Sequence, residues 1–245
     1  MLAAAAVTKN FAGVHALRGV SLELREGTVV GLIGPNGSGK TTLLNCVSGV
    51  FPPTSGAISL DGEPIAGRPA HQLARRGVVR TFQNVRLFDG LTALQNVQVS
   101  AVAAGKVKRR RSREYARDVL GRLGLGELED RYAGTLSYGD QRRLEIARAL
   151  AASPRFLLLD EPAAGMNEAE SDGLRESIER IRSERGCGVL VVDHDLRLIM
   201  RLCEHIYVLN EGVLISEGEP DAVRRDPTVL AAYVGDEEER GKESG

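Results

Sequence analysis

The chain has 245 residues, of which 42% are hydrophobic and 27% charged, and its formal net charge is -1. This is the composition of a globular protein, and the balanced charge argues against a general nucleic-acid binder, which usually carries a basic excess. No apolar run approaches the ~20 residues that a membrane-spanning helix needs, so work at a membrane would require another chain to cross it.

The first third of the chain is rich in predicted strands. Met1–Val7 is apolar but too short for a signal peptide, and it is predicted to be a first strand. Val20–Leu24 alternates apolar and polar residues, as a half-buried strand does, whereas Thr28–Ile33 is continuously apolar, as a buried parallel strand is. Ala57–Gly62 ends in Asp-Gly, which favours a hairpin turn. A further strand is predicted over Val78–Phe82.

Helical patterns dominate residues 92–152, and strands then return. They are predicted over Phe156–Asp160, Gly188–Asp193 and His205–Leu209, with helices between them. Alternating strands and helices indicate a parallel sheet covered by helices. The middle of the chain is therefore interpreted as a helical lobe inserted into that core.

Two charged segments are predicted to be solvated. The basic run at 106–113 is interpreted as an exposed loop, with contact to anionic lipid headgroups as the alternative. Residues 236–245 form an acidic tail. The three cysteines match no metal-site spacing and are expected to be free thiols.

A glycine-rich segment follows the predicted strand that ends at Ile33. Residues 34–42 fit the phosphate-binding pattern G-x-x-x-x-G-K-[ST]. Glycines let backbone N–H groups turn inward around phosphate, and the following helix adds its positive N-terminal end. Lys40 supplies charge to the β- and γ-phosphates, and the Thr41 hydroxyl is a predicted Mg²⁺ ligand. The predicted nucleotide contacts in this loop are Gly34, Asn36, Gly37, Ser38, Gly39, Lys40, Thr41 and Thr42.

Two adjacent acids end the apolar strand Phe156–Asp160. Alone, such a pair is as consistent with a strand that runs into a capped surface turn. After a phosphate-binding loop, Asp160 is the expected Mg²⁺ ligand and Glu161 the expected general base that polarises the attacking water. Together the two features predict hydrolysis of a nucleoside triphosphate with Mg²⁺.

The segment Leu136–Gln141 reads LSYGDQ and precedes a predicted helix. Alone, it is equally an ordinary helix start with Ser137 as N-cap. Placed before the acidic pair, it resembles the signature of ABC (ATP-binding cassette) ATPases, normally Leu-Ser-Gly-Gly-Gln, although the third and fifth residues differ. The resemblance implies a head-to-tail dimer in which Ser137 and Gly139 contact the ATP held by the partner subunit.

Further positions match the same family. The resemblance makes Gln83 the glutamine whose amide oxygen can reach Mg²⁺, and His194 the histidine that supports the γ-phosphate or attacking water. Phe11 lies where the family stacks adenine on an aromatic ring. Asn167 replaces the usual aspartate of the loop at the dimer interface, so it lacks that charge. The resemblance thus implies ATP and Mg²⁺ as cofactors, with Glu161, His194 and Lys40 as catalytic residues.

The resemblance covers nearly the whole chain and implies an α/β fold. That fold is a P-loop NTPase core with a mainly parallel sheet, an N-terminal antiparallel β subdomain and an inserted helical subdomain. We expect a single ATPase domain over residues 1–235. Residues 1–83 would form the β subdomain and the core part with the phosphate-binding loop, 84–153 the helical subdomain, and 154–235 the rest of the core.

Several segments are similar to one branch, the ATP-binding subunits of branched-chain amino acid importers. They are Arg76–Phe88, Gln141–Arg148, Asp160–Gly165 and Ala232–Gly235. This similarity implies ATP hydrolysis coupled to transport through separate permease subunits, with contact through Asn84–Phe88. It also implies pairing with a homologous ATPase or a second copy, an indirect link to a solute-binding protein, and no nucleic acid. The expected location is the cytoplasmic face of the plasma membrane, as a peripheral protein.

Other classes share part of this pattern. A urea or amide importer and a lipopolysaccharide-type exporter would carry the same motifs. ABC-type DNA-repair ATPases usually split the ATPase with a long coiled coil, and no sustained heptad repeat is present here. Translation-associated ABC proteins carry two cassettes, whereas this chain has one phosphate-binding loop.

Overall fold

A six-stranded sheet forms the centre of the protein. The computed structural model describes residues 1–233, so Val234–Gly235 and the predicted acidic tail lie outside the described residues. The strand order is β10-β9-β3-β8-β7-β6, and all neighbours are parallel except β9 and β10. The strands are β3 (Val29–Ile33), β6 (Val78–Arg80), β7 (Phe156–Asp160), β8 (Gly188–Val192), β9 (His205–Asn210) and β10 (Val213–Gly218).

A second sheet of four antiparallel strands is built from the N-terminal part of the chain. Its order is β2-β1-β4-β5. Asp61 and Gly62 both have positive φ, 53° and 81°, in the turn between β4 and β5, which confirms the predicted Asp-Gly hairpin. The strands are β1 (Leu2–Phe11), β2 (Val14–Leu24), β4 (Ser55–Leu60) and β5 (Glu63–Pro64).

The described residues contain eight α-helices. Three of them, α3 to α5, lie in sequence between β6 and β7, where the helical lobe is predicted. Residues 106–111 of the basic run connect α3 to α4 and include a 3-10 helix at Arg109–Arg111, whereas Arg113 already lies in α4; the lysines and arginines of the run are exposed, as predicted. The helices are α1 (Lys40–Val47), α2 (Ala70–Arg75), α3 (Ala93–Ala103), α4 (Ser112–Arg122), α5 (Tyr138–Ala151), α6 (Glu168–Arg185), α7 (Leu196–Leu202) and α8 (Pro220–Arg225).

The core has two parts, one on each face of the six-stranded sheet. Alternate residues of a strand point to opposite faces. In β3, Val29 and Ile33 therefore pack in the cluster that includes α3 to α7, whereas Val30 and Leu32 pack against α1 and the antiparallel sheet. Every residue of β3, β7 and β8 is buried, which explains why these strands are apolar apart from Asp160 at the end of β7.

The parallel register places the functional segments at one edge. Leu32 of β3 pairs with Val192 of β8, and Val192 also pairs with Asp160 of β7. The carboxyl ends of these strands therefore meet, and the loops that follow them are neighbours. Ligands of open α/β sheets bind outside this edge.

Candidate nucleotide site

The loop after β3 has a backbone that only glycine accommodates. Gly34, Gly37 and Gly39 have φ of 147°, 76° and 103°. A Cβ on Gly34 would lie 2.0 Å from the carbonyl oxygen of Leu209, and one on Gly39 would lie 2.6 Å from that of Ala16. Gly34 and Gly39 are thus favoured by both conformation and close backbone approach, and Gly37 by its positive φ alone.

Lys40 begins α1 and folds back over this loop. Its Nζ donates to the carbonyl oxygens of Gly34 and Pro35, each at 2.7 Å, and the residue is 8% exposed. The ammonium group is therefore held within the loop that would surround the phosphates. Thr41 and Thr42 follow in the first turn of α1, whose N-terminus also favours an anion.

Glu161 stands at a sharp change of direction after β7. Its φ is 47°, in the left-handed region that non-glycine residues rarely adopt, and its backbone N–H donates to the carbonyl oxygen of Val192 at 2.6 Å. Such backbone strain persists only where the surrounding structure maintains it, and it is common at functional sites. The turn separates the Glu161 side chain from the buried strand that carries Asp160.

Two predicted site residues face the Glu161 carboxylate. Gln83 Nε2 donates to its Oε2 at 2.9 Å, and His194 Nδ1 lies 3.9 Å from the same oxygen. The side chain of Glu161 is 21% exposed and that of His194 is 65% exposed, so water can reach the pair. The structure thus brings together three residues that lie far apart in the sequence.

Asp193 holds the loop that carries His194, and no sequence motif singles it out. Its side chain is fully buried. One oxygen accepts from the backbone N–H of Ala163 at 3.0 Å and the other from that of Asp195 at 3.0 Å. The loop after β7 and the loop after β8 are therefore joined through one carboxylate.

The predicted metal ligands offer a donor set that suits Mg²⁺. Thr41, Gln83 and Asp160 provide a hydroxyl, an amide oxygen and a carboxylate, and Mg²⁺ prefers such oxygen ligands. Mg²⁺ usually takes one or two carboxylates and completes its shell with phosphate and water. Among residues 1–233, no group of three or more His, Cys, Asp or Glu side chains is placed to hold a metal ion.

The signature segment, Leu136–Gln141, lies against a different part of the chain. Ser137 is the N-cap of α5, and its Oγ accepts from the backbone N–H of Asp140 at 3.2 Å. A Cβ on Gly139 would lie 2.7 Å from Glu170 Oε1 of α6. Within the described chain, no hydrogen bond joins Ser137 or Gly139 to the phosphate-binding loop.

Phe11 lies at the end of β1 and is 42% exposed. Its ring packs edge-on against Phe51 with centroids 5.3 Å apart, and Lys9 Nζ lies 5.1 Å from the ring centre. β2 runs on from the turn after Phe11, and the carbonyl oxygen of its residue Ala16 approaches Gly39. The hairpin therefore packs beside the phosphate-binding loop, and Phe11 stays a prediction as the adenine contact.

Arg142 links the signature helix to the Gln83 loop, a role that sequence reasoning missed. Its guanidinium donates to the carbonyl oxygens of Phe82, at 2.8 Å, and of Gln83, and it pairs with Glu145 at 3.1 Å. Burial raises the pKa of Glu145, and the Arg142 charge opposes that rise. The carbonyl oxygens of Phe82 and Gln83 thus accept hydrogen bonds from a side chain of α5. The strand β6 ends at Arg80, two residues before the predicted end at Phe82.

The segment Asn84–Phe88, called here the coupling segment, is held from behind by two further side chains. Buried Asn96 accepts from the backbone N–H of Phe88 and donates to its carbonyl oxygen, both at 3.0 Å. Arg148 donates to the carbonyl oxygen of Arg86, and its guanidinium lies 4.9 Å from the Phe88 ring centre. Phe88 is 48% exposed, so the segment presents one aromatic ring beside the exposed residues Asn84 and Arg86.

Known proteins resemble the chain over nearly its whole length. Residues 17–164 match the ABC transporter family, and residues 213–239 match the family described as branched-chain amino acid ATP-binding cassette transporter. The high-affinity branched-chain amino acid transport ATP-binding proteins BraF of Pseudomonas aeruginosa and LivG of Salmonella typhimurium are 46% and 43% identical, each alignment covering 96% of this chain and 98% of the relative. The lipopolysaccharide export system ATP-binding protein LptB of Escherichia coli is 35% identical over the same shares.

Solved structures of ATP-binding cassettes superpose on the chain. The ADP conformation of MJ1267, an ATP-binding cassette of an ABC transporter, gives a TM-score of 0.88 at 30% identity, covering 96% of this chain and 98% of that one. The dimeric structure of MJ0796, a bacterial ABC transporter cassette, gives 0.79 at 29% identity, covering 90% and 99%. These matches confirm the predicted α/β fold. The chain belongs to the ABC transporter family, as one of its ATP-binding, ATP-hydrolysing subunits.

Proposed function

We propose that this ATPase drives import of branched-chain amino acids through a separate permease. The observation that carries the proposal is the match of residues 213–239 to the branched-chain amino acid cassette family. The 46% identity to BraF, which spans almost all of both chains, supports the same branch. The nucleotide-site motifs that follow β3, β7 and β8 are common to many transporters and do not determine the solute.

ATP would bind at the loop after β3. Backbone N–H groups of the loop at residues 34–42 would surround the phosphates, with Lys40 as a point charge and Phe11 against the adenine. Thr41, Gln83 and Asp160 would hold Mg²⁺, which would supply positive charge to offset the negative charge that develops on the phosphates. The Lys40 ammonium group would stabilise the same transition state with its positive charge. Its hydrogen bonds in the loop fix its position before the reaction.

Glu161 would act as the general base for the attacking water. Gln83 Nε2 donates to Glu161 Oε2 at 2.9 Å and orients the carboxylate. The backbone turn at φ 47° fixes the direction in which the Glu161 side chain leaves the backbone. His194, 3.9 Å away, would hydrogen-bond the γ-phosphate or the water. A base near the site needs both reach and a fixed direction, and these contacts provide the direction.

The complete site would form between two subunits in a head-to-tail dimer. Ser137 and Gly139 contact α5 and α6 in their own chain and make no hydrogen bond to its phosphate-binding loop within residues 1–233. Their helix start is suited to the γ-phosphate of a neighbour. The similar cassette MJ0796 is dimeric, which supports the same arrangement here. The partner is a second copy or a homologous ATPase.

The coupling segment would transmit closure to the permease. No helix in the described part of the chain is long and apolar enough to span a bilayer. The exposed Phe88 ring and the Arg86 backbone are braced on α5, which also carries the signature segment. We place the subunit on the cytoplasmic face of the plasma membrane, bound to the permease by this segment and served indirectly by a solute-binding protein.

Reconstitution tests the solute directly. The chain would be assembled with its permease and second ATPase in liposomes that contain ATP, with binding protein and labelled leucine outside. We expect ATP-dependent leucine uptake that is lost when Glu161→Gln replaces the wild type. Uptake of urea without leucine would instead assign an amide importer.

A lipopolysaccharide-type exporter is the alternative with its own support, because LptB is 35% identical over nearly the whole chain. The same liposomes would be supplied with lipopolysaccharide and an acceptor for it outside. ATP-dependent extraction of that lipid, with no uptake of any amino acid, would replace the importer proposal.

A further inference from the structure

The guanidinium of Arg80 joins the two elements that carry predicted metal ligands. It lies at the end of β6, and its Nη2 is 2.7 Å from Asp160 Oδ2 of β7. Its Nη1 donates to Asn45 Oδ1 of α1 at 2.5 Å and to the Oγ of Ser48, the residue after α1, at 3.1 Å. Thr41 lies on the same helix as Asn45, so one side chain connects the Thr41 helix to the Asp160 strand.

The ion pair between Arg80 and Asp160 is buried, so the guanidinium restricts the orientation of the Asp160 carboxylate. The Arg80 and Asp160 side chains are 6% and 3% exposed. A carboxylate removed from water needs a counter-charge when no metal is bound, and the guanidinium supplies it. Buried ion pairs are weak evidence for stability, because an apolar replacement often stabilises as well.

We propose that Arg80 is a positioning residue for the magnesium site. Its Nη2 donates to Asp160 Oδ2, while Asn45 and Ser48 accept from Nη1, so the contact fixes the orientation of the carboxylate that would bind the metal. Side chains that hold a metal ligand in this way set the ligand's orientation and affect metal affinity. A planar fork braced by Asn45 and Ser48 can hold the carboxylate in one orientation, whereas a lysine ammonium contacts it only as a point charge.

The test separates geometry from charge with Arg80→Lys. This variant keeps the positive charge near the metal, so simple repulsion of Mg²⁺ stays comparable, but it loses the fork. ADP is titrated calorimetrically into the isolated chain, once with Mg²⁺ and once with EDTA. ADP is used because it lacks the γ-phosphate that closes the proposed dimer. The measured quantity is the gain in ADP affinity that Mg²⁺ produces.

We expect Arg80→Lys to reduce this gain about tenfold or more, while the affinity in EDTA changes less than about twofold. An unchanged gain, or equal losses with and without Mg²⁺, would overturn the inference, since the latter is what a purely structural brace predicts. Arg155→Lys is the matched control. Arg155 precedes β7 at the opposite end and pairs with Asp61 at 2.8 Å, so its loss should leave the gain unaltered.

A second variant covers the case in which Arg80→Lys does not fold. Asn45→Ala leaves the Arg80–Asp160 pair intact and removes one brace on the guanidinium, so the gain should fall in the same direction by a smaller factor. A wild-type gain in Asn45→Ala would then overturn the inference. The inference rests on the proposed magnesium site. If Mg²⁺ does not raise the ADP affinity of the wild type, that proposal fails first and the two failures are distinguished.

Discussion

Replacing Arg142 by methionine should destabilise the protein strongly. Arg142 and Glu145 have side chains 2% and 7% exposed, and their charged groups are 3.1 Å apart. The substitution keeps the apolar stem but leaves the Glu145 carboxylate buried without its cation, which typically costs ~3–5 kcal/mol. For a domain of this size about 1 kcal/mol shifts Tm by ~2–4 °C, so Tm should fall by ~6–20 °C.

Urea unfolding at two pH values measures this cost and its origin. Burial raises the pKa of Glu145, and loss of the Arg142 charge raises it further. The folded variant then binds a proton at pH values where the unfolded chain has released it. Its deficit should therefore be smaller near pH 5 than near pH 8, and stability should be lost as pH rises through this window.

The double variant Arg142→Met, Glu145→Met completes the thermodynamic cycle. It should be more stable than Arg142→Met alone, because no buried charge remains unpaired. Arg201→Met is the control, since Arg201 forms an exposed pair with Asp172 and such pairs contribute ~0–1 kcal/mol. A deficit under about 1 kcal/mol for Arg142→Met, or strict additivity in the cycle, would refute the reasoning.

Three other predictions test separate parts of the protein. Lys40→Ala removes a charge-assisted contact of ~1.5–3 kcal/mol and should weaken ATP binding roughly ten- to a hundredfold; an unchanged calorimetric affinity would contradict its role. Glu161→Gln should retain ATP but slow phosphate release by about a hundredfold or more, whereas near wild-type turnover would exclude it as the base. Burial raises the pKa of Cys46 to about 11 and of Cys187 to about 12, so iodoacetamide should label both only after denaturation. Rapid labelling of the native protein, seen by mass spectrometry, would show that these thiols are accessible.

Local sequence predicted those parts of the fold that depend on local physics. The glycines of residues 34–42 need positive φ or close backbone approach, and both constraints are visible as residue type. The Asp61-Gly62 turn follows from the same kind of preference. The buried strands β3, β7 and β8 are apolar, apart from Asp160 at the end of β7, because helices or a second sheet cover both faces.

The contacts that organise the site could not be predicted in the same way. Arg80 pairs with Asp160, which lies 80 positions away in the sequence. Arg142 donates to the carbonyl oxygens of Phe82 and Gln83, which lie 60 and 59 positions away. An arginine in a strand or helix gives no sign of its distant partner, and Asn96 resembles any polar helix residue. These residues become identifiable only when the sheet order brings β6, β7 and α5 together.

One departure from the family pattern, at Asn167, has a local explanation. Asn167, which stands where the family usually has aspartate, is the N-cap of α6. Its side chain accepts from the backbone N–H of Glu170 at 3.0 Å, and the Glu170 side chain accepts from the backbone N–H of Asn167 at 3.0 Å. Asparagine and aspartate cap helices about equally well, so the loss of charge leaves the start of the helix intact.

The shared active site is tested most directly by mixing two inactive variants. Lys40→Ala disables the phosphate-binding loop of its own chain. Ser137→Asp keeps a good N-cap for α5 but places a carboxylate where the partner's γ-phosphate would bind. It is preferable to a substitution at Gly139, where a side chain would meet Glu170 of the same chain. Ser137→Asn, which caps equally well without charge, is the matched control.

In a mixed dimer both lesions fall at one site and the other site is intact. With equal amounts of the two variants at high micromolar concentration, random pairing leaves about one quarter of all sites complete. The measurement is the ATPase activity of the mixture against that of each variant alone. We predict activity well above the sum of the two, approaching about a quarter of the wild-type rate. A mixture no more active than that sum, under conditions where the wild-type chain is active, would contradict a site built from two subunits.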